Sequence, residues 1–261
     1  MNNDIEVTIG NDHIAVVEIC KPPNNFFSNS LISNLADTFE GLDCDDNVRV
    51  SLLCSQGKHF CAGADFSNSS KGNDTLGLYA GAVRIFRCRK PIVAAIQGAA
   101  IGGGLGLALT ADFRIAAPES RFSANFARLG FHQGFGLSVT LPELIGQQAS
   151  REMFFTGKRV KGEEALTIGL CDRLTPLEEL RTTAIAFTRE IAQSAPLAIE
   201  SIRATLRSGL ADRVEVATLH EAQEQARPMA EAHQKTFLSL IHISEPTRPE
   251  RIGGGGGGGG K

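Results

Sequence analysis

The sequence predicts an α/β fold followed by a helical region. Up to about residue 175, apolar runs of strand length alternate with segments whose apolar residues recur at helical spacing. The rest of the chain, to about Ala232, has an almost wholly helical pattern that is broken at Ala195-Pro196. We therefore expect an α/β core over 1–175 and a helical C-terminal region over 176–237.

The predicted elements of the first half follow from periodicity. The β-branched runs His13–Cys20 and Val48–Cys54 are of strand length. Between them, apolar residues recur at helical intervals over 31–42, and Ser30 is positioned to cap that helix. Pro91–Gly98 is apolar throughout, which is typical of a strand buried on both faces.

The next elements begin at a glycine cluster. The segment Ile101–Leu109, "IGGGLGLAL", reads as a short apolar helix that leads directly into a strand over Ala111–Ala117. A longer helix is predicted over 141–157, and a short one over 161–169 ends at Gly169.

Composition excludes several classes of protein. The chain has 261 residues, 42% hydrophobic and 21% charged, with a net charge of -3, so it has no general attraction to nucleic acid or to anionic membranes. An anionic ligand would need a local basic site. The six cysteines include no C-x-x-C pair and no apolar run reaches about 20 residues, so we expect a cytoplasmic protein without nucleic-acid or membrane partners.

The final segment, Leu238–Lys261, is expected not to belong to the fold. It ends in eight consecutive glycines and a lysine. Residues 238–248 are what the end of a transposase-type sequencing adapter would encode if it were translated, and a run of G bases would encode glycine. We interpret the segment as adapter read-through, with a flexible low-complexity tail as the alternative.

The glycine cluster lacks the spacing of nucleotide-binding motifs. A dinucleotide fingerprint would need glycine where Leu107 stands, and a phosphate loop would need serine or threonine after Gly57-Lys58, where His59 stands. Gly102–Gly104 therefore remain at a strand-to-helix junction whose first N–H groups have no partner within the helix and favour negative charge. A tight turn that requires positive φ is the alternative.

A second backbone motif, Gly57–Phe66 ("GKHFCAGADF"), follows a predicted strand. The small residues Ala62–Ala64 carry too little side chain for chemistry but leave their backbone open to a ligand. Two backbone donors from separate loops can form an oxyanion hole, which stabilises charge that develops on a carbonyl oxygen.

Three motifs, in this order, resemble the crotonase, or enoyl-CoA hydratase/isomerase, superfamily. They are "GKHFCAGAD", "PIVAAIQGAAIGGGLGLALTADFRIA" and "FTGKRVKGEEALTIGLCDRL", and the resemblance covers roughly His13 to Ala230. It implies a crotonase-type spiral of ββα units and an acyl-CoA thioester substrate, with no cofactor beyond the coenzyme A of that substrate. It also implies self-association as a trimer or a dimer of trimers.

The resemblance implies roles for particular residues. The N–H groups of Ala62 and Gly103 would hold the thioester oxygen as an enolate forms, and no metal ligands are expected. The implied substrate-binding residues are Lys21, Ala62, Gly63, Ala64, Asp65, Phe66, Gly102, Gly103 and Phe126.

The two glutamates that hydratases of this family use are not matched: their positions fall on Gly106 and Phe126. His132, in "LGFHQGFG", is the best replacement, because its unperturbed pKa near 6.5 suits a general base. Packing against Phe131 and Phe135 is the alternative. We expect hydrolysis, decarboxylation or an unusual hydration, and the rival hypothesis is a degenerate acyl-CoA-binding or scaffold subunit.

Other reactive side chains have weaker claims. Cys61 could be a nucleophile activated by His59, although a small buried residue is the alternative. Gln133 could orient a water molecule but cannot accept a proton. Asp65 and Asp112 match family aspartates of structural role. One basic cluster could attract phosphate or form a solvated helix face; it comprises Arg84, Arg87, Arg89 and Lys90.

Overall fold

Strands and helices alternate through the described residues of this computed structural model, 4–64 and 75–226. The strands are β1 (Ile5–Ile9), β2 (Ile14–Ile19), β3 (Val50–Ser55), β4 (Ile92–Ile96), β5 (Ala99–Ile101), β6 (Phe113–Ala116), β7 (Arg121–Ser123), β8 (Val160–Lys161) and β9 (Arg173–Leu174). The helices are α1 (Asn29–Asp43), α2 (Thr75–Arg87), α3 (Gly103–Ala108), α4 (Leu137–Thr156), α5 (Gly162–Thr167), α6 (Leu180–Ala192), α7 (Pro196–Leu206) and α8 (Leu210–Ala226). Two predicted site residues, Asp65 and Phe66, and the tail over 238–261 lie outside the described residues.

Six strands form the larger sheet, in the order β1-β2-β3-β4-β6-β9. Only the β1–β2 pair is antiparallel among the described pairs of this sheet, and the other neighbours run parallel. Every residue of β3 and β4 is buried, as expected for parallel strands that are covered on both faces.

The two faces of this sheet build two apolar clusters. Leu53 belongs to the cluster that includes buried residues of α1 and α2. The adjacent residues Leu52 and Cys54 belong to a second cluster, to which α6 contributes Leu180 and Ala184. The period of two along β3 therefore places helices on opposite faces of the sheet.

A second sheet of three short strands, β5-β7-β8, receives the chain after it leaves the larger sheet. β4 continues into β5 and then α3, and β6 continues into β7 and later α4. In these two units, one strand of each sheet precedes the helix, as expected for ββα units.

Three details differ from the sequence predictions. The N-cap of α1 is Ser28, whose Oγ accepts the N–H of Leu31 at 3.2 Å, so Ser30 lies inside the first turn instead. α4 begins four residues earlier than expected and is kinked at Gly146, where φ is 79°. The edge strand β1 was not predicted, because four of its five residues are exposed and give no buried pattern.

The helical region begins as a layer of the core, because α6 packs against the larger sheet. Pro196 stands at the start of α7, at the predicted break. α8 contacts α2 and α4. In the described part of the chain, the helices are too short or too polar to cross a lipid bilayer.

Candidate functional site

A turn before α1 is bound to the start of the Gly57–Phe66 motif. Asn25 is fully buried in the left-handed region, with φ of 49°. Its amide nitrogen donates to the carbonyl oxygens of Gln56 (2.7 Å) and His59 (2.5 Å), and its Oδ1 accepts the N–H of Lys21 at 3.0 Å. These bonds fix the turn against 56–59 and place Lys21 beside it, with its Nζ 3.4 Å from the carboxylate of Asp4.

The "CAGA" motif runs alongside β5. Cys61 forms a parallel bridge with Ala100, and its carbonyl oxygen accepts the N–H of Ile101 at 3.1 Å. On the other side, the N–H of Phe27 donates to the carbonyl oxygen of Gly63 at 3.0 Å. The motif is therefore held between Phe27 and the strand that leads into the glycine cluster.

The three glycines allow this close approach. Gly102 has a φ of 56°, so the predicted requirement for positive φ is confirmed at this residue. A Cβ on Gly103 would lie 2.4 Å from the ring of Phe27, and one on Gly104 would lie 2.2 Å from the carbonyl oxygen of Cys61. A side chain at either glycine would therefore push the two segments apart.

The free backbone donor of the "CAGA" motif is not the one predicted. The N–H of Ala62 already donates to the carbonyl oxygen of Asn24 at 2.9 Å. Gly63, with φ of 99°, turns the chain, and the N–H of Ala64 has no acceptor among the described residues. The N–H of Gly103, at the start of α3, likewise has none there. Within this motif, the N–H of Ala64 is therefore available to a ligand, whereas the N–H of Ala62 is engaged.

The position of the first family glutamate is filled by an aromatic ring. A Cβ on Gly106 would lie 2.6 Å from the Cβ of Phe135. Phe135 is fully buried with φ of 63°, and its ring packs edge-on against Phe27 (centroids 6.1 Å apart) and Tyr79 (6.5 Å apart). No space remains there for a carboxylate.

The second such position is also apolar. Phe126, in the 3₁₀ turn Asn125–Leu129, is partly buried and packs against the main core. One of its ring carbons would lie 3.6 Å from a Cβ on Gly102. The ring therefore lies beside the glycine-led turn, and its role in substrate binding stays a prediction.

His132 contacts α8 instead of the glycine-led helix. Its Nδ1 lies 2.8 Å from the carbonyl oxygen of Gln133, and its own carbonyl oxygen accepts from the amide of Gln225 at 2.7 Å. Its ring meets that of His220 edge-on, with centroids 5.8 Å apart. Among the described contacts of His132, none reaches Ala64 or Gly103, so its role as a general base stays a prediction.

Tyr79 fixes the same loop from the other side. Its hydroxyl donates to Oε1 of Gln225 at 2.9 Å. Gly134 passes so close that a Cβ there would lie 1.8 Å from the tyrosine oxygen. Burial raises the pKa of Tyr79 well above its usual value, so the phenol stays neutral and serves as a donor.

Cys61 is not arranged as a nucleophile. The side chain is fully buried, and this burial raises the pKa of the thiol to about 11. Burial lowers the pKa of His59, whose Nδ1 accepts the N–H of Ala99 at 3.2 Å. A neutral thiol and an imidazole whose Nδ1 bonds to backbone favour the alternative of a small packed residue.

The other charged candidates are structural. Burial pushes the pKa of Asp112 upward, but Arg203 and Arg207, each 2.8 Å away, outweigh it and hold that pKa below its ordinary value. Arg84, Arg87 and Arg89 all lie within 4 Å of carboxylates. The Nζ of Lys90 donates to two backbone carbonyls. These cations are therefore engaged, and the solvated or paired alternative describes them better than a phosphate site.

Sequence reasoning missed Phe27 and Phe135. Phe135 stands between Gly134 and Gly136, and this flanking pair is a local signal of unusual backbone that could have identified it. Phe27 is held at the site by the hydrogen bond from its N–H to the carbonyl oxygen of Gly63, which lies 36 residues later in the sequence. No local sequence pattern identifies Phe27.

The chain is similar to known proteins over most of its length. A model of the enoyl-CoA hydratase/isomerase family matches residues 10–247. The short-chain-enoyl-CoA hydratase of Clostridium acetobutylicum is 30% identical over 236 residues, which cover 87% of this chain and 90% of that protein. The carnitinyl-CoA dehydratase of Salmonella arizonae is 31% identical over 204 residues, covering 76% and 78%.

A solved structure shares the fold at high similarity. The crystal structure of an enoyl-CoA hydratase/isomerase from Pseudoalteromonas atlantica superposes with a TM-score of 0.84 and 26% identity, covering 93% of this chain and 98% of that one. On the strength of the family match and this structural likeness, the chain belongs to the enoyl-CoA hydratase/isomerase family.

Proposed function

We propose that this protein binds an acyl-CoA thioester and stabilises the enolate formed from it. One observation carries the proposal: the N–H groups of Ala64 and Gly103 have no acceptor among the described residues, and they lie on neighbouring segments that both contact Phe27. Removing a proton from the carbon next to a thioester places negative charge on the carbonyl oxygen. Two fixed donors stabilise that charge more strongly than the neutral carbonyl, which lowers the barrier.

The reaction differs from ordinary hydration in this proposal. Gly106 and Phe126 supply no carboxylate, and Phe135 fills the space beside Gly106. Hydrolysis adds water at the thioester carbonyl and releases the thiol of coenzyme A, decarboxylation releases CO2 and leaves an enolate that takes up a proton, and hydration adds water across a double bond. Each places negative charge on the carbonyl oxygen, which the two donors would stabilise, and the two reactions that use water need a base to activate it. His132 is proposed as that base, and a hydratase and a dehydratase of acyl-CoA substrates among the relatives support the substrate class.

A second candidate function is favoured by the same aromatic packing. If Phe135 and Phe126 occupy the space of the proton-transfer groups and no other residue takes over proton transfer, the protein binds acyl-CoA without catalysing a reaction. A scaffold subunit of this kind would keep the backbone donors, because they also define the ligand pocket.

We also infer self-association as a trimer or dimer of trimers, supported by apolar side chains on α7 and α8. Leu197, Leu206 and Val216 are 80%, 81% and 70% exposed. Exposed apolar patches of this kind mark association surfaces. Light scattering of the purified protein would measure the assembly.

A panel of acyl-CoAs tests the proposal. Binding is followed by calorimetry, and turnover by loss of the thioester and by new products in mass spectrometry. We expect saturable binding of at least one thioester and slow hydration of crotonyl-CoA compared with a family hydratase. Binding without turnover of any thioester would select the scaffold, and absence of binding across the panel would refute both.

A further inference from the structure

A cavity of about 230 Å³ lies on the outer face of the three-stranded sheet, next to the glycine-led turn. Phe122 of β7 points into the main core. Its neighbours Arg121 and Ser123 therefore point to the opposite face, and both line the cavity. Arg128 and Arg159 complete a rim of three guanidinium groups around it.

The three arginines have no carboxylate partner. In the part of the chain that the structure describes, no acidic oxygen lies within 4 Å of their guanidinium nitrogens, whereas arginines such as Arg84 and Arg213 form ion pairs. The cavity lining contains no acidic residue. In a chain with a net charge of -3, this is a local excess of positive charge that an anion would neutralise.

The protein holds one of the three arginines, Arg128, in position. The Nε of Arg128 donates to the carbonyl oxygen of Thr156, and its stem packs on Gly157, where an added Cβ would lie 2.9 Å away. The Oγ of Ser123 donates to the carbonyl oxygen of Gly157 at 3.1 Å. An arginine fixed in this way loses less freedom when it binds a ligand.

We propose that this cavity is a binding site for a phosphate monoester. A guanidinium group can donate two parallel hydrogen bonds to two oxygens of one phosphate. Three such cations suit the roughly double negative charge of a phosphate monoester better than the single charge of a carboxylate. The volume is below that of a drug-sized pocket, which is about 300–1,000 Å³, so it suits a compact headgroup. Asn125 also lines it and offers both a donor and an acceptor to the same group.

Two sources could supply this phosphate. One is a separate phosphate-bearing metabolite that acts on the protein. The other is the 3′-phosphate of coenzyme A, and this alternative alone rests on the proposed acyl-CoA function. Because the chemistry of recognition is the same, the site can be tested before its natural ligand is known.

Calorimetric titration of inorganic phosphate into the full chain, with ionic strength held constant by chloride, tests the site. The variant Arg121→Gln/Arg159→Gln removes the two rim cations that make no hydrogen bond to the protein in the described residues. Arg151→Gln is the matched control, since Arg151 is an exposed arginine of α4 outside the cavity. We expect a saturable isotherm for wild type and Arg151→Gln, and a roughly tenfold or greater loss of affinity in the double variant.

The outcomes separate the sources and can overturn the site. Displacement of phosphate by acetyl-CoA but not by its 3′-dephospho form would assign the cavity to the coenzyme, and displacement by neither would assign it to a separate ligand. Equal phosphate affinity in all three proteins would refute the proposal. Failure of the wild type to bind phosphate at tens of millimolar would also refute it. If the double variant then showed a lower mass than wild type in light scattering, the three arginines would instead be contacts with a second copy of the chain.

Discussion

The side chain of Phe135 occupies the space that a side chain at Gly106 would need, with only 2.6 Å between the Phe135 Cβ and a Cβ added at residue 106. The phenylalanine at 135 can therefore pack in this position only because residue 106 has no side chain. Restoring an acid at 106 without changing 135 would force the two together.

We therefore predict that Gly106→Glu destabilises the protein and does not create a hydratase. Overpacking of this kind costs about 1–3 kcal/mol in the free energy of unfolding. Urea unfolding would measure the loss, and Gly106→Glu/Phe135→Ala should be more stable than the sum of the two single effects predicts. A Gly106→Glu protein as stable as wild type would show that the ring moves aside freely.

The donor at Ala64 is tested by removing its hydrogen. Ala64→Pro deletes an N–H that makes no bond in the described structure, so no native hydrogen bond is lost. We expect kcat on any turned-over acyl-CoA to fall by about 10²–10³-fold, while Ala64→Ser, which keeps the N–H, stays near wild type. Equal rates in a folded Ala64→Pro protein would exclude this donor.

His132 and His220 form a natural pair of variants because their rings touch. If His132 is the base, His132→Ala lowers kcat by about 10²-fold or more, and His220→Ala has a much smaller effect. Full activity in His132→Ala would identify this residue as packing between its loop and α8.

Alkylation distinguishes the thiols. Because burial raises the pKa of Cys61 to about 11, its thiolate is almost absent at neutral pH, and the side chain is shielded as well. Iodoacetamide should modify the exposed Cys44 and leave Cys61 intact, as peptide mapping by mass spectrometry would show. Labelling of Cys61 in the folded protein as fast as Cys44 would reopen its role as a nucleophile.

Asp112 links stability to acid pH. Its pKa is lower in the folded protein than in the unfolded chain, so its contribution is present above the unfolded value of about 3.9 and is lost as pH falls through the folded value. Asp112→Asn leaves the buried Arg203 and the partly buried Arg207 without a carboxylate partner and should cost about 3–5 kcal/mol at neutral pH.

The difference in the free energy of unfolding between Asp112→Asn and wild type should shrink as the pH falls below the pKa of this carboxyl in the unfolded chain. The control Asp37→Asn breaks an exposed pair with Arg84 and should change stability by less than about 1 kcal/mol. Urea unfolding at neutral and acid pH gives both values. A constant difference across that range would mean that Asp112 is not the titrating group.

More of the fold than of the candidate site could be predicted from the sequence. The sequence pattern located β3 and β4 as apolar runs of strand length, since both are buried throughout, and α1 by apolar residues at helical spacing. The β-branched run His13–Cys20 located β2. β8 and β9 are two residues long, which is too short for any period to show. Their positions follow from pairing with strands that lie far away in sequence.

The site depends on contacts that no local pattern records. Both backbone motifs were identified from their small residues, but the choice between Ala62 and Ala64 is set by a carbonyl of Asn24, which belongs to another loop. The packing of Phe135 on Gly106 likewise joins residues whose separation in sequence gives no signal. Both features are determined by contacts between segments that are distant in sequence.

The carboxylate of Glu221 is fully buried and accepts the N–H groups of Gly136 and Ser138 at 2.8 and 3.0 Å, across 85 and 83 residues of sequence. Together with Gln225, which bonds to His132 across 93 residues, it ties the loop over 131–136 to α8. Contacts of such long range form late, because the chain entropy lost in closing them is repaid only when both partners are in place. During synthesis, the loop over 131–136 can therefore form these hydrogen bonds only after α8 has left the ribosome.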